Sequence, residues 1–125
     1  MKRIRLLSLP DPRFAVGDPQ YEANRVDYRA IIEQAIRMPL DRNVGATIDE
    51  MRKGIRVLDA LDAATAIGAE TDAVLELEDA DWEHLKHKVE KMPWVMVDRR
   101  LVQFYDDIIG ATDAVRDPAR ANSVA

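Results

Sequence analysis

The chain has 125 residues, 33% of them charged, no cysteine and a formal net charge of -5. That length suits one domain, which at this size buries roughly two-thirds of its unfolded surface. The lack of cysteine excludes disulfides and thiolate metal sites. The negative balance argues against nucleic acid as a partner, because affinity for a phosphate backbone rests on clustered Lys and Arg.

The apolar run that opens the chain stops at Pro10, short of the roughly 7 to 15 residues of a secretory signal core. Charges interrupt every other run well before the roughly 20 residues of a membrane span. A soluble, cytoplasmic protein with no membrane partner is expected.

In chain order, Arg3-Ile4-Arg5-Leu6 alternates with period two and predicts a strand near residues 3–8. Residues 11–19 are dense in turn formers, with two Asp-Pro steps and Gly17, and predict a loop that Phe14 and Val16 would pin to the core. Asp18-Pro19 suits an N-cap followed by proline at the first helical position. Tyr28, Ile31, Ile32, Ala35 and Ile36 share one stripe, so a helix is expected over 19–37, stopped by Pro39.

Thr47-Ile48-Asp49-Glu50 has the spacing of a capping box, and Met51, Ile55, Leu58 and Leu61 follow at steps of three and four. This predicts a helix over 47–67 with Gly68 as its stop and Thr65 on its inner face. Val74 to Leu77 is too short for a helix and is expected to pair with the first strand, near 73–77. Trp82, Leu85, Val89 and Met92 place a helix over 79–92, acidic at its start and lysine-rich later, as the helix dipole favours. Pro93 ends it. A last helix over 98–115, capped by Asp98, carries Leu101, Phe104, Tyr105, Ile108, Ile109 and Ala111.

The expected fold is therefore mainly α: four helices and a short two-stranded β-ribbon in one domain, residues 1–116, with 117–125 as a flexible tail. Ile55, Leu58, Leu85 and Phe104 are expected to share one core.

No residue pattern points to catalysis, a cofactor or a metal. His84 and His87 stand three apart and are the chain's two histidines, whereas a zinc helix of the His-Glu-x-x-His type sets them four apart and adds a third ligand. Both are expected at the edge of the buried stripe or in solvent. The carboxylate pairs Asp59 with Asp62, and Asp106 with Asp107, read as solvated helix faces. Ser8 and Ser123 lie near the chain ends, outside any nucleophile turn, and the five glycines form no phosphate loop.

Two features point to partners. Residues 92–97, Met-Pro-Trp-Val-Met-Val, form the longest fully apolar run and fall between two helices, where a connection is ordinarily polar. Such a run either plugs the end of the helical core or presents a surface for a partner or a second copy, a setting in which Trp and Met are enriched. Met92, Trp94, Val95 and Met96 are the candidate partner-binding residues. The second feature is the stretch from Glu70 to Glu83, with seven acidic and no basic residues, read either as solvated connections and a helix start or as the contact face of an acidic inhibitor that docks on an enzyme.

The stretches Asp27 to Ala35, Thr47 to Lys53 and Leu75 to Trp82 follow an order that resembles small accessory proteins of tailed-bacteriophage and prophage assembly modules, including tail assembly chaperones. The resemblance covers about residues 26–110 and has no counterpart for residues 92–100. It implies a non-enzymatic assembly factor that binds other phage structural proteins, such as a tail tube or tape-measure protein, in the bacterial cytoplasm or in the virion; a homo-oligomer is a further option, through the apolar run at 92–97. It assigns no functional residues.

Overall fold

The computed structural model describes residues 1–41, 43–67, 73–94 and 97–112, with side chains omitted for 65–67. Among them, five helices and four short strands alternate as β1 (Lys2–Arg5), β2 (Ser8–Leu9), α1 (Pro19–Ala23), β3 (Val26–Asp27), α2 (Tyr28–Arg37), α3 (Ile48–Ile67), β4 (Val74–Leu77), α4 (Asp79–Lys91) and α5 (Arg99–Ile109). The chain is predominantly α, as its periodicity predicts. No described helix is long and apolar enough to cross a membrane.

The ribbon between the first strand and residues 74–77 forms as expected: β1 and β4 pair antiparallel, with Ile4 opposite Leu75 and Lys2 opposite Leu77. Ile4, Leu75 and Leu77 are buried, which holds the register, because a slip of one residue would turn these side chains to solvent. The other edge of β1 is engaged too, by the Arg3 N–H donating to Thr112 O at 2.9 Å.

The expected helix over 19–37 is broken in two. Asp18 caps α1 by accepting from the Gln20 N–H at 2.9 Å, as its position before Pro19 suggests. Yet α1 buries none of its side chains, so nothing apolar holds a longer helix there. Val26 and Asp27 instead pair with Leu9 and Ser8 in a second ribbon, burying Val26. The Tyr28 N–H donates to Leu7 O at 3.0 Å as α2 begins. In the preceding loop Phe14 is half-buried, but Val16 is exposed and pins nothing.

The core gathers Tyr28, Ile32, Ala35 and Ile36 from α2, Val57 and Leu61 from α3, Leu85 and Val89 from α4, and Phe104 and Ile108 from α5, against the β1–β4 ribbon. Tyr28 and Phe104 meet edge to face with centroids 5.0 Å apart. Leu58 packs at the margin of this core, and Leu85 and Phe104 sit within it. Ile55 does not: it and Met51 lie on the outer face of α3, 54% and 49% exposed. The inner face is set by Gly54, where an added Cβ would come within 3.2 Å of the Ile36 side chain. This close approach turns Val57, Leu61 and Ala64 inward, and Met51 and Ile55 outward.

Thr47 begins α3 as expected, its hydroxyl accepting from the Glu50 N–H at 3.1 Å. The reciprocal half of the box is absent. Glu50 reaches instead to the Leu40 N–H at 3.2 Å and to Lys88 at 2.6 Å. The expected stop at Gly68, the inward Thr65 side chain and the tail at 117–125 lie outside the described residues. The last helix ends at Ile109, with the Gly110 N–H donating to Asp106 O at 2.9 Å.

Candidate docking site

The connection from α4 to α5 is shaped at both ends. Met92 closes α4 through its N–H to Val89 O at 3.3 Å, and Pro93 has no N–H with which to extend the helix. Asp98 starts α5 by accepting from the Arg100 N–H at 2.8 Å. Between them, among the described residues, Trp94 is anchored on one side. Its ring meets Phe104 edge to face, centroids 6.1 Å apart, yet the residue remains 37% exposed. Met92 is half-buried against the core and Val97 is fully exposed. Val95 and Met96, also expected in the docking surface, lie outside the described residues.

Three hollows open around this segment. One of about 190 Å³ lies between Ala35, Met38 to Leu40, Lys88, Lys91 and the Met92-Pro93 step. A second, about 280 Å³, is lined by Trp94, Val97, Asp98, Leu101, Val102 and Tyr105. The third is a cleft of about 390 Å³ with Val26, Ile31, Met92, Pro93, Trp94 and Leu101 on its apolar side and Asp11, Arg13, Asn24, Arg25 and Arg100 on its polar side. Met92 to Trp94 is the ridge that borders all three.

The polar wall is internally satisfied. Asp11 is almost fully buried and accepts from the Arg13 backbone N–H at 3.0 Å and from Arg13 Nη2 at 2.8 Å. Asp98 holds Arg100 in the same way, with Arg100 Nη2 donating at 2.7 Å. The two Asp-x-Arg locks face each other, Arg100 Nη2 lying 4.0 Å from Asp11. Hydrogen bonds from the Arg13 side chain and backbone hold the Asp11 carboxyl down to about 2, and the Arg100 guanidinium keeps Asp98 below the usual carboxylate range. Arg100 also donates to Leu9 O at 3.1 Å and Asn24 O at 2.9 Å, tying α5 to the N-terminal loops. From local sequence Asp98 is legible only as a cap. The repeated Asp-x-Arg spacing at Asp11-Pro12-Arg13 and Asp98-Arg99-Arg100 was the signal for the rest.

A second polar cluster lies between α3 and α4. Contrary to expectation, His84 is buried, while His87 is exposed. Burial and the nearby Lys88 and Lys53 charges push the His84 imidazole below its ordinary value, and its Nε2 has no hydrogen-bond partner. Lys88, 4% exposed, donates to Glu50 Oε2 at 2.6 Å, to Ile36 O at 3.4 Å and to Met38 O. Its three protons thus close the C-terminus of α2 against α3, where a cation also meets the helix dipole. This ammonium is a strut rather than a nucleophile. Burial raises the Glu50 carboxyl, but Lys88 and the Leu40 N–H outweigh it and leave the group lowered.

Of the carboxylate pairs, Asp59, Asp62 and Asp106 are exposed as expected, whereas Asp107 is half-buried. Asp107 accepts from the Tyr28 hydroxyl at 2.6 Å, and burial, together with this hydrogen bond, raises the phenol above its ordinary value. Asp62 lies 3.3 Å from Arg29. Among the described residues no group of three or more His, Asp or Glu is placed to hold a metal. Comparison with protein-family models, with curated protein sequences and with solved structures found no match.

Proposed function

We propose that the protein is a non-enzymatic interaction factor that docks an apolar segment of a partner protein along the Met92–Trp94 ridge. The observation that carries this reading is the placement of one half-exposed tryptophan, stacked on the core at its back, between two hollows with apolar walls. A rigid aromatic flanked by pockets is the usual anchor of a protein interface. The finer reading, that the partner is a structural protein of a tailed-phage assembly module in a bacterial cell, is supported by the order of sequence elements from Asp27 to Trp82.

The acidic-inhibitor reading has less support. Glu76, Glu78 and Glu83 are exposed, but Asp81 is taken by Arg56 at 2.8 Å. Lys2 and Lys86 stand over Trp82 at 5.1 and 5.0 Å, so positive charge interrupts that surface.

The test is binding to the tail-tube and tape-measure proteins of the same genome, measured by calorimetry with wild type, Trp94→Ala and Val97→Asp. Losing an aromatic anchor costs roughly 2 kcal/mol or more of binding. Val97 is fully exposed, so its charged variant is expected to weaken binding without changing the thermal midpoint. Equal affinity for all three proteins would end the proposal. Binding of neither phage protein would end its finer form.

A further inference from the structure

The outer face of α3 carries Ile48, Met51 and Ile55, 62%, 49% and 54% exposed. This apolar stripe is remote in sequence from the Met92–Trp94 ridge and lines none of its hollows. Arg52 and Asp59 share the face, and neither makes an ion pair or side-chain hydrogen bond among the described residues. They are seven residues apart, about 10 Å along the axis, too far to reach each other within one helix.

We infer that this face pairs with the same face of a second copy, the two α3 helices running antiparallel across a two-fold axis at Ile55. The charges on this face are complementary to those of a second copy. About that axis Ile55 packs on its own counterpart, and each copy's Arg52 meets the other copy's Asp59, so one register pairs both unpartnered charges twice. Ile48 then reaches the far half of the opposing helix, where Ala63 is exposed and leaves room for it. The other apolar register, with Met51 on Met51, sets Arg52 against Arg52 and is disfavoured by repulsion. In the chosen register Asp49 approaches the other copy's Asp62, but each is already neutralised in its own chain, by Lys53 at 3.1 Å and Arg29 at 3.3 Å. An isologous contact of this kind closes as a dimer.

Sedimentation equilibrium on the full chain, from micromolar to millimolar concentration, tests the pairing. Wild type is expected to show a monomer–dimer equilibrium. Arg52→Asp and Asp59→Arg each place like charges together and are expected to weaken it roughly tenfold or more. The double variant with both changes is expected to regain most of the affinity. Ile55→Glu should abolish the dimer with circular dichroism and the thermal midpoint of the monomer retained. Trp94→Ala should leave the dimer unchanged, which separates this face from the proposed docking ridge. A monomeric wild type at millimolar concentration would overturn the inference, as would a double variant no stronger than either single one.

Discussion

Each proton on Lys88 Nζ has an acceptor, two of them carbonyls in the last turn and cap of α2 and the third the Glu50 carboxylate. With the Lys88 side chain 3% exposed and that of Glu50 12%, removing the ammonium would strand a largely buried negative charge. Lys88→Met is therefore expected to lower the unfolding free energy by about 3 to 5 kcal/mol, read from urea denaturation. Adding Glu50→Gln should recover part of the loss, because a neutral amide needs no counter-charge. An unchanged midpoint for Lys88→Met would show that the strut carries no stability. Nothing in the sequence marks this residue: it stands among Lys86 and Lys91 as one of several cations in the later turns of a helix, and its partners are 38 to 52 residues away.

At the scale of the element, the expected stripe of α3 holds at Leu58 and Leu61, which pack on the core, and fails at Met51 and Ile55, which face outward. Two apolar stripes run along it, one through Ile48, Met51 and Ile55 and one through Val57, Leu61 and Ala64, and periodicity alone does not rank them. Gly54 does, once α2 is packed beside it, because a side chain there would press on Ile36. The two stripes should therefore respond differently to truncation. Leu61→Ala, at a site 1% exposed, is expected to cost about 2 to 5 kcal/mol. Ile55→Ala should change the monomer's stability by no more than about 0.5 kcal/mol, as exposed substitutions usually do. Chemical denaturation of both at low protein concentration checks the assignment, and equal losses would refute it. The break within 19–37 has a related cause: the short α1 buries no side chain, so Val26 leaves the helical path to be covered by β2 instead.

For the whole molecule, acid sensitivity follows from groups that share one sign. The carboxyls of Asp11, Glu22, Glu50 and Asp98 and the His84 imidazole are all lowered in the folded chain. Between its folded and unfolded pKa each of these groups binds more protons when unfolded, so stability falls as pH falls. The histidine contribution is present above its ordinary value of 6.5 and is lost as pH drops through the lowered value. The carboxylate contributions are lost from the ordinary carboxylate range downward, that of Asp11 continuing to about 2. Urea midpoints measured from pH 8 to pH 3 should therefore fall in two stages. His84→Gln should remove the upper stage and leave the lower one, and a variant that keeps both stages would exclude His84 as the cause. Arg100 stands at the junction of α5, the Asp11 loop and the turn after α1, so the polar wall of the cleft also fastens the N-terminal loops to the helical core.

Local chemistry was enough for the caps at Asp18, Thr47 and Asp98, the stops at Pro39 and Pro93, the β1–β4 pairing and most of the buried stripes. Each depends on residues within one turn, or on an alternation that only one register can bury. The exposed Trp94 ridge, the buried Lys88 and His84, the outward Ile55 and the paired Asp-x-Arg locks depend instead on which faces meet. That choice is made by contacts between distant segments: Gly54 against Ile36, Trp94 against Phe104, and Arg100 against Leu9 and Asn24. Side-chain periodicity says that a helix has an apolar face, but the shape of its neighbours selects which face is covered.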